Sequence, residues 1–571
     1  MNIYPWLMFV MGHEQDKNKD KDLTITGESG QEEKTYRKHA VSSEVPIASD
    51  VGLKILKMGG NAVDAAIATC IVVGVVNSFS SGLGGGGFML IKKIGNKQSA
   101  TMIDFRETAP SNLSVDLLSR DSILSKEGGL AVGIPGEIKG LSYAHKKFGK
   151  LPWNVIIREC INVANGFTVT HELQKRLEKF ESHVKKDRGM SEIYTINGKL
   201  VKKGDFIGRP NLSKTLEVLA ENPEDFYSGK IAEFLVQAIN ENGGNITIED
   251  FKNYKVKEGQ VLKGKYKNYD VYTTGLPSSG VLVLLALNIL DKFSLNDLSK
   301  NEQFNDYTHV HLLVEIFKFI MAKRGRLGDP VFNKDFRSTI DFLLSDTLAS
   351  DIYKTINLNS TLPKNDYKAD LFNKPDSGTT HVNVVDKDGL VVSLTSTINL
   401  EFGAKFMDYN TGIILNNEID DFYIPNVENS YNLNQTFRNI VSPNKAPLSS
   451  AAPIILENKN ETLALGAAGG IRIPTSIIEV IFYMSLNNSL RQSINKPRMH
   501  HQMDPDILYI EQNERPEIIE FLRRKNHKIE VSKTNTVFTS VQGIIQRSLK
   551  DGSKLIDAVS DYRKNGSPAG E

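Results

Sequence analysis

Cysteine is nearly absent from the sequence, since 571 residues include only Cys70 and Cys160. Two cysteines exclude a disulfide framework and any cysteine-rich zinc site. His309 and His311 lie two apart on a predicted helix and do not share a face, so no metal site is predicted. The chain also has no large excess of positive or negative charge, because 69 Lys and Arg residues balance 68 Asp and Glu residues. A nucleic-acid partner is therefore disfavoured.

A long apolar run is also lacking near the N-terminus. The apolar stretch from Ile3 to Met11 is far shorter than the roughly 20 residues of a membrane span, and no positive residue precedes it. We expect a weak or truncated secretion signal at best. Residues 13 to 37 are charged and almost free of apolar side chains, so residues 1 to 38 are predicted to form a disordered leader.

Sequons for N-glycosylation are frequent in this asparagine-rich chain. They lie at Asn112, Asn211, Asn245, Asn359, Asn434, Asn460, Asn487 and Asn565. Several would arise by chance, so they permit a secretory route without requiring one. We expect such a route, ending in a vacuole lumen or at the cell surface.

The glycine-rich stretch that follows Ser81 matches a dinucleotide-binding pattern in spacing only. Gly82, Gly84 and Gly87 spell G-x-G-x-x-G. That fingerprint requires the order strand, glycine turn, helix, whereas here an apolar helix predicted from Asn61 precedes the glycines and the strand-like FMLIKK follows them. We predict close backbone packing near a site, and no nucleotide.

Thr379 is a candidate nucleophile. A threonine hydroxyl needs a base, and none is evident nearby in the sequence. Cutting the peptide bond before Thr379 would supply one, because the freed α-amine has an unperturbed pKa of roughly 7.7 to 8.0. Gly378 lacks a Cβ and tolerates the close backbone approach that self-attack requires. The plainer alternative is a β-branched residue at the start of a strand.

A predicted β-hairpin brings a second hydroxyl to Thr379. The turn signal Asp386–Gly389 separates two valine-rich runs. A two-residue turn places Thr379 opposite Ser396 or Ile398, depending on its centre. Both registers put Thr397 beside Thr379, although a threonine-rich strand pair without function would look the same.

Other polar groups follow along the chain. Asn399 lies two residues beyond Thr397, and an acidic, amide-rich turn occupies residues 415 to 422. Later come the pairs Ser449–Ser450 and Gly469–Gly470, and consecutive backbone amides at a glycine turn can bind an oxyanion. Together these groups describe a pocket with a nucleophile, carboxylates for an ammonium, donors for a carboxylate and an oxyanion hole.

At this point the sequence resembles the γ-glutamyltransferases, also called glutathione hydrolases. Eleven motifs in the family's order carry the resemblance: GGNAVDAAIA at 59 to 68, NSFSSGLGGGGF at 77 to 88, DFRETAP at 104 to 110, GIPGE at 133 to 137, PSSG at 277 to 280, LGDP at 327 to 330, GTTH at 378 to 381, TSTINLEFG at 395 to 403, NNEIDDF at 416 to 422, PLSS at 447 to 450 and GAAGGIRI at 466 to 473. They cover nearly the whole chain after the leader.

The resemblance implies an α+β fold, the four-layer αββα sandwich of N-terminal nucleophile hydrolases. Autocleavage between Gly378 and Thr379 would give a large subunit, residues 39 to 378 after the leader, and a small subunit, residues 379 to 571, that remain one folded unit. The implied site residues are Thr379 as nucleophile and base, Thr397 as its hydrogen-bonding aid, Gly469 and Gly470 as oxyanion hole, Arg106 with Ser449 and Ser450 for the substrate α-carboxylate, and Asn399, Glu418 and Asp421 for the α-ammonium.

The implied chemistry is transfer of a γ-glutamyl group from glutathione or a related donor. Cysteinylglycine leaves, a threonyl ester remains, and water, an amino acid or a dipeptide accepts the group, with no cofactor or metal. Alternatives are a related acylase or poly-γ-glutamate-processing enzyme on the same fold, and a catalytically silent scaffold. Residues 423 to 446 are a hypothetical lid.

Overall fold

A computed structural model describes residues 34–294, 307–369, 378–425, 437–532 and 539–571. Residues 1 to 33 of the predicted leader lie outside this description. The last residues of that leader, 34 to 38, belong to the fold, because the strand Thr35–Tyr36 pairs with Asp557 and Ile556. The folded chain therefore begins before His39, where the sequence placed its start.

Within the described residues, the strands form two seven-stranded sheets and four smaller ones. In chain order they are β1 (Thr35–Tyr36), β2 (Ala40–Ser42), β3 (Gly86–Lys93), β4 (Thr101–Phe105), β5 (Phe167–Thr168), β6 (Thr195–Ile196), β7 (Lys199–Leu200), β8 (Phe206–Ile207), β9 (Lys257–Gly259), β10 (Val261–Tyr266), β11 (Tyr269–Thr274), β12 (Thr379–Val385), β13 (Leu390–Thr397), β14 (Met407–Asp408), β15 (Ile413–Ile414), β16 (Ile454–Glu457), β17 (Glu461–Ala468), β18 (Met499–His501), β19 (Leu508–Ile510), β20 (Ile529–Val531), β21 (Ser540–Ser548), β22 (Lys554–Ser560) and β23 (Ala569–Gly570). Sheet I has the order β1-β22-β21-β17-β16-β11-β10, and sheet II has the order β23-β2-β12-β13-β3-β4-β9.

The described helices pack on the outer faces of these two sheets or beside them. They are α1 (Pro46–Lys57), α2 (Ala62–Val76), α3 (Val115–Arg120), α4 (Glu137–Phe148), α5 (Trp153–Asn165), α6 (His171–Lys179), α7 (Glu181–Lys186), α8 (Arg188–Tyr194), α9 (Pro210–Glu221), α10 (Asp225–Ser228), α11 (Lys230–Glu241), α12 (Ile248–Asn253), α13 (Gly280–Leu290), α14 (Thr308–Lys323), α15 (Phe336–Leu343), α16 (Asp346–Thr355), α17 (Ile473–Ser485), α18 (Leu490–Asn495) and α19 (Pro516–Arg524). Among the described residues, no helix is both long and apolar enough to cross a bilayer.

The core has three apolar layers, which define the order helix, sheet, sheet, helix. One layer joins sheet II to α1, α2, α4 and α5, and another joins sheet I to α13, α14 and α17. A third lies between the sheets. Strand β12 contributes side chains to two of these layers, because Val382 and Val384 face the helices while Val385 faces sheet I. The four-layer αββα sandwich predicted from the sequence is confirmed.

Helix α2 begins where the sequence predicts. The Asn61 side chain accepts hydrogen bonds from the backbone N–H groups of Val63 and Asp64, and the Asp64 carboxylate accepts from the Asn61 N–H. This capping box satisfies backbone donors that a helix start leaves free. All fifteen residues of α2 are buried, so the helix is a central rod of the core.

The β12–β13 hairpin differs from the prediction by one residue. Thr379 pairs directly with Thr397, not with Ser396 or Ile398. The reason is the turn: Asp386 N–H donates to Leu390 O, and Gly389 at φ +78° closes the loop. A three-residue turn with a left-handed glycine replaces the expected two-residue turn and shifts the register.

Both large sheets combine strands from the two predicted subunits. In sheet II, β12 and β13 lie between β2 and β3, and in sheet I, β11 pairs with β16. Cleavage before Thr379 would cut the chain at the start of β12 without removing a strand from either sheet. The two subunits of the sequence-based prediction are therefore not separate domains in space.

Candidate active site

One buried cavity gathers nearly all of the predicted site residues. It is lined by Gly87, Phe88, Arg106, Thr379, Thr395, Thr397, Asn399, Glu418, Asp421, Ser449, Ser450, Ala451, Gly470 and Ile473. Gly378 and Gly469 adjoin two of these residues in the chain. Gly87 contributes as the close-packing glycine that the sequence suggested, because a Cβ there would lie 2.0 Å from the carbonyl oxygen of Thr395.

The Thr379 hydroxyl lies within a chain of hydrogen bonds. Thr379 Oγ1 donates to Thr397 Oγ1 at 3.3 Å, and Thr397 Oγ1 donates to the carbonyl oxygen of Gly378 at 2.6 Å. The backbone N–H of Asn399 also donates to Thr397 Oγ1, at 2.8 Å. Thr397 thus contacts both the candidate nucleophile and the carbonyl group that a self-cleavage reaction would attack.

Gly378 occupies a position that only glycine fits. Its φ is +157°, and a Cβ would lie 2.3 Å from the carbonyl oxygen of Asn399 and 2.8 Å from the carbonyl carbon of Leu400. Backbone atoms on this neighbouring loop cannot move aside as a flexible side chain would. The carbonyl group of Gly378, where the sequence predicts cleavage, is therefore held against the loop that follows Thr397.

Arg106 leaves the end of β4 and is almost fully buried. Its guanidinium forms ion pairs with Glu418 and Asp421, and Glu107 lies 3.7 Å away. Burial alone would lower the pKa of Arg106, but Glu418, Asp421 and Glu107 together raise it above its ordinary value. The cation is permanent, and it is fully engaged with acids in this structure.

Two of the acids around Arg106, Glu107 and Glu418, have raised pKa values. Burial raises the pKa of Glu107 to about 7, although the nearby Arg106 opposes the shift. Burial also raises the pKa of Glu418 well above its ordinary range. An ammonium that enters among these carboxyl groups favours their ionised forms, so it would lower the pKa values that burial has raised. Sequence analysis assigned no role to Glu107, although its place next to Arg106 in DFRETAP was a signal.

Asn399 is fixed by the acidic turn. Its Nδ2 donates to the carbonyl oxygen of Asn417 at 3.0 Å, and Asn417 Oδ1 accepts from the Leu400 N–H at 3.0 Å. Asn399 lines the cavity. Asn417 was not predicted as a site residue, and its role is to join the loop after β13 to the acidic turn.

The serine pair presents hydroxyls beside Arg106. Ser449 Oγ accepts from the Ala451 N–H at 3.1 Å, which leaves its own hydrogen for a ligand. Ser450 Oγ accepts from Arg324 at 3.1 Å. Arg106 itself donates to the backbone carbonyl of Pro447 at 3.3 Å. Three donors therefore meet at one end of the cavity, as recognition of a carboxylate requires.

Gly469 and Gly470 form the turn before α17. Both have positive φ, +135° and +60°, which other residues rarely adopt. A short 3-10 turn, Gly470–Arg472, then leads into the helix. Gly470 and Ile473 line the cavity, so the turn lies where backbone N–H groups at the start of a helix could stabilise an oxyanion.

Lys564, close to the C-terminal end of the sequence, contacts the candidate nucleophile Thr379. Its Nζ donates to the carbonyl oxygen of Thr379 at 3.0 Å and forms an ion pair with Glu44 at 2.8 Å. Both side chains are buried. Sequence analysis missed this contact, because nothing local links residues separated by 185 and 520 positions.

A second cluster of possible ligands lies away from the cavity. His311, Glu315 and His527 bring their ligand atoms within 4.8 Å of one another. The imidazoles bond to each other at 2.7 Å, and His311 Nε2 donates to the carbonyl oxygen of Asn357 at 2.9 Å. Glu315 accepts from Tyr367 at 2.6 Å. Glu315 also accepts from Thr361 at 2.6 Å, whereas the buried Nδ1 of His527 has no hydrogen-bond partner among the described residues. Of the hypothetical lid, residues 423 to 446, the structure describes residues 423 to 425 and 437 to 446.

Comparison with known proteins agrees with this geometry. A family model described as gamma-glutamyltranspeptidase matches residues 48–571. The glutathione hydrolase proenzyme 2 of Schizosaccharomyces pombe is 38% identical over 570 residues, which cover 98% of this chain and 91% of that relative. The glutathione hydrolase proenzyme of Escherichia coli is 38% identical over 504 residues, covering 86% and 85%.

Solved structures share the fold. A cephalosporin acylase from Bacillus halodurans superimposes with a TM-score of 0.82 over 97% of this chain and 99% of that one. Its sequence identity is 22%, so this likeness concerns the fold alone. Which acyl group the cavity takes has to be argued from its side chains.

Proposed function

Because this chain belongs to the γ-glutamyltranspeptidase family, we propose that it cleaves glutathione and related γ-glutamyl compounds and transfers the γ-glutamyl group to water, amino acids or dipeptides. The observation that carries the proposal is the Thr379–Thr397 hydroxyl pair at 3.3 Å, in a cavity that also holds Arg106 and two acids. The pair supplies a nucleophile and the charged groups supply a site for a glutamyl headgroup.

The first step is self-processing. The Thr379 hydroxyl attacks the Gly378 carbonyl carbon, the C–N bond breaks, and the hydroxyl proton passes to the departing amine. Water then hydrolyses the ester, leaving a Gly378 carboxylate and a free Thr379 amine and hydroxyl. The 2.6 Å hydrogen bond from Thr397 to the Gly378 oxygen supports this step, because it polarises the carbonyl and stabilises the developing oxyanion.

Turnover repeats the same attack on the donor. The Thr379 amine accepts the hydroxyl proton, the hydroxyl attacks the γ-amide carbon, and cysteinylglycine leaves with the proton. Backbone N–H groups of Gly469 and Gly470 hold the oxyanion. Water or an amine-bearing acceptor then attacks the threonyl ester, which releases glutamate or a new γ-glutamyl compound and restores Thr379.

The headgroup is bound at both of its charges. Arg106, Ser449 and Ser450 hold the α-carboxylate, while Glu418 and Asp421, together with Asn399, hold the α-ammonium. Each buried charge of the donor then meets a partner, as burial of an ion requires.

Intact-mass spectrometry with N-terminal sequencing tests the processing. A fragment that begins at Thr379 is expected, and a chain that stays whole after long incubation would favour the silent-scaffold alternative. Release of p-nitroaniline from γ-glutamyl-p-nitroanilide tests the turnover. The matched control is glutaryl-p-nitroanilide, which lacks the α-ammonium: equal or faster turnover of the glutaryl compound would favour the acylase alternative.

A secretory route to a vacuole lumen or the cell surface is a further part of the proposal. Its support is the set of sequons, of which six have an exposed asparagine within the described residues: Asn112, Asn245, Asn359, Asn460, Asn487 and Asn565. Digestion of the native protein with an N-glycosidase should increase its electrophoretic mobility. Unchanged mobility of protein from its own cells, together with a cytosolic signal by microscopy, would contradict this route.

A further inference from the structure

Strand β12 has a neighbouring strand on only part of one edge. On one side β13 pairs with it throughout, including Thr379 opposite Thr397. On the other side the pairs with β2 cover only Asn383–Val385, because the chain leaves the sheet after Ser42. Beyond that point a side chain takes over, since Lys564 Nζ donates to the carbonyl oxygen of Thr379. Lys564 occupies the place that a longer β2 would have filled.

The side chain of Lys564 is held in place by its surroundings. It belongs to a short 3-10 turn, Tyr562–Lys564, which Asp561 caps. The preceding Arg563 is clamped to Glu511 by hydrogen bonds of 2.6 and 2.7 Å. A buried lysine needs a counter-charge, and Glu44 supplies it at 2.8 Å. The position of the ammonium is therefore determined by the fold.

We propose that Lys564, held by Glu44, is a positioning residue for the nucleophile. It fixes the carbonyl end of Thr379 after self-cleavage has made that residue a chain end, and it keeps a positive charge near the new α-amine. This inference rests on the proposed function and adds to it a pair of residues that lies outside the substrate cavity.

The first argument is mechanical. Before cleavage, the peptide bond to Gly378 holds Thr379; afterwards the residue is a terminus, and termini move freely unless other contacts hold them. Pairing with Thr397 and the bond from Lys564 are the contacts that remain. A displacement of about 1 Å at a reacting group can cost a factor of about 100 in rate. Loss of the Lys564 contact should therefore lower kcat more than it changes KM.

The second argument is electrostatic. The α-amine of Thr379 must be neutral to act as a base, and a nearby cation opposes its protonation. The charged groups around it are Lys564 with Glu44 behind it, and Arg106 with its acids across the cavity. If the cation at residue 564 is removed, the amine will take up a proton at higher pH. The acid limb of the kcat/KM profile should then move to higher pH.

The test compares three processed enzymes, Lys564→Gln, Lys564→Arg and the wild type, using γ-glutamyl-p-nitroanilide as the donor. Each rate is divided by the amount of Thr379 N-terminus found by sequencing. Lys554→Gln is the matched control, because Lys554 also donates to a backbone carbonyl, that of Lys387 at 2.8 Å, but is distant from Thr379 in the β21–β22 hairpin. For Lys564→Gln we expect kcat to fall by about tenfold or more with KM changed less than about threefold. The acid limb of the kcat/KM profile should move to higher pH by roughly half a pH unit or more.

Lys564→Arg keeps the charge, so its acid limb should stay at the wild-type pH, and Lys554→Gln should match the wild type throughout. A processed Lys564→Gln enzyme with wild-type kcat and acid limb would overturn the inference. If that variant does not fold, Glu44→Gln takes its place, because it keeps Lys564 but frees its ammonium to move. Failure of both variants to fold would reduce the pair to a structural ion pair and also overturn the inference. If the wild type itself shows no donor turnover, the proposed function fails instead.

Discussion

Replacement of Thr397 by valine tests the hydroxyl pair most directly. Valine has the same shape, so the packing of β13 is kept while one oxygen is lost. That oxygen accepts from the Asn399 N–H at 2.8 Å and donates to the Gly378 carbonyl at 2.6 Å. Thr397→Val therefore removes the donor that faces the scissile carbonyl without opening a cavity.

The size of the effect follows from the role of that donor. Removing one donor from an oxyanion site costs about 10²–10³ in rate, or about 2.7–4 kcal/mol. The Asn399 N–H also loses its acceptor, but this cost is present in ground state and transition state alike. We expect self-cleavage of Thr397→Val to be slower than that of the wild type by about 10²–10³.

The assay follows the intact mass of freshly translated precursor in a cell-free system over time. Thr397→Ser is the control, because it restores the hydroxyl and should cleave within about tenfold of the wild-type rate. Thermal unfolding of the uncleaved Thr397→Val precursor shows that it is folded. Cleavage of a folded Thr397→Val precursor at the wild-type rate would refute the reasoning.

Three further predictions concern other groups. Thr379→Ala should remain a single chain of 63.5 kDa by mass spectrometry, and any fragment beginning at residue 379 would contradict the assigned nucleophile. Arg106→Lys should process normally but raise the KM for γ-glutamyl donors by about tenfold or more, because an ammonium cannot grip a carboxylate at two points; an unchanged KM would count against its role. Burial raises the pKa of Glu137 to about 8 from 4.5. The folded state therefore holds a proton that the unfolded state releases, so stability falls as pH rises through this window. Glu137→Gln cannot titrate and should lose less thermal stability between pH 5 and pH 8.5 than the wild type; equal losses would rule this out.

Features set by neighbouring residues were predictable from the sequence. The start of α2 follows from Asn61 and Asp64, three positions apart, which cap the helix through local hydrogen bonds. The alternation of valines along β12 likewise predicts a strand with two faces. The turn Asp386–Gly389 was ambiguous, since the same four residues suit a two-residue or a three-residue loop, and only the conformation of Gly389 decides between them.

Contacts between distant parts of the chain could not be predicted in this way. Glu44 and Lys564 are 520 positions apart, and neither lies in a pattern that indicates function. His311 and His527 meet only because α14 packs beside the loop after α19. Even β1 escaped notice, since two residues are too short for a pattern and their partner strand lies at the other end of the chain.

The sequence predicted which charged residues form the site, but not which of them pair with one another in the free protein. Arg106 already holds Glu418 and Asp421, so a donor enters by exchange. A headgroup with both charges replaces each broken ion pair by a new one. A ligand with a carboxylate alone would draw Arg106 from its acids and bring them no cation in exchange, so the buried carboxyl groups would have to take up protons or stay charged without a partner, and either outcome costs free energy. We therefore expect the cavity to select a zwitterionic acyl group, both through the ion pairs that it loses and through those that it gains. The glutaryl control measures that difference.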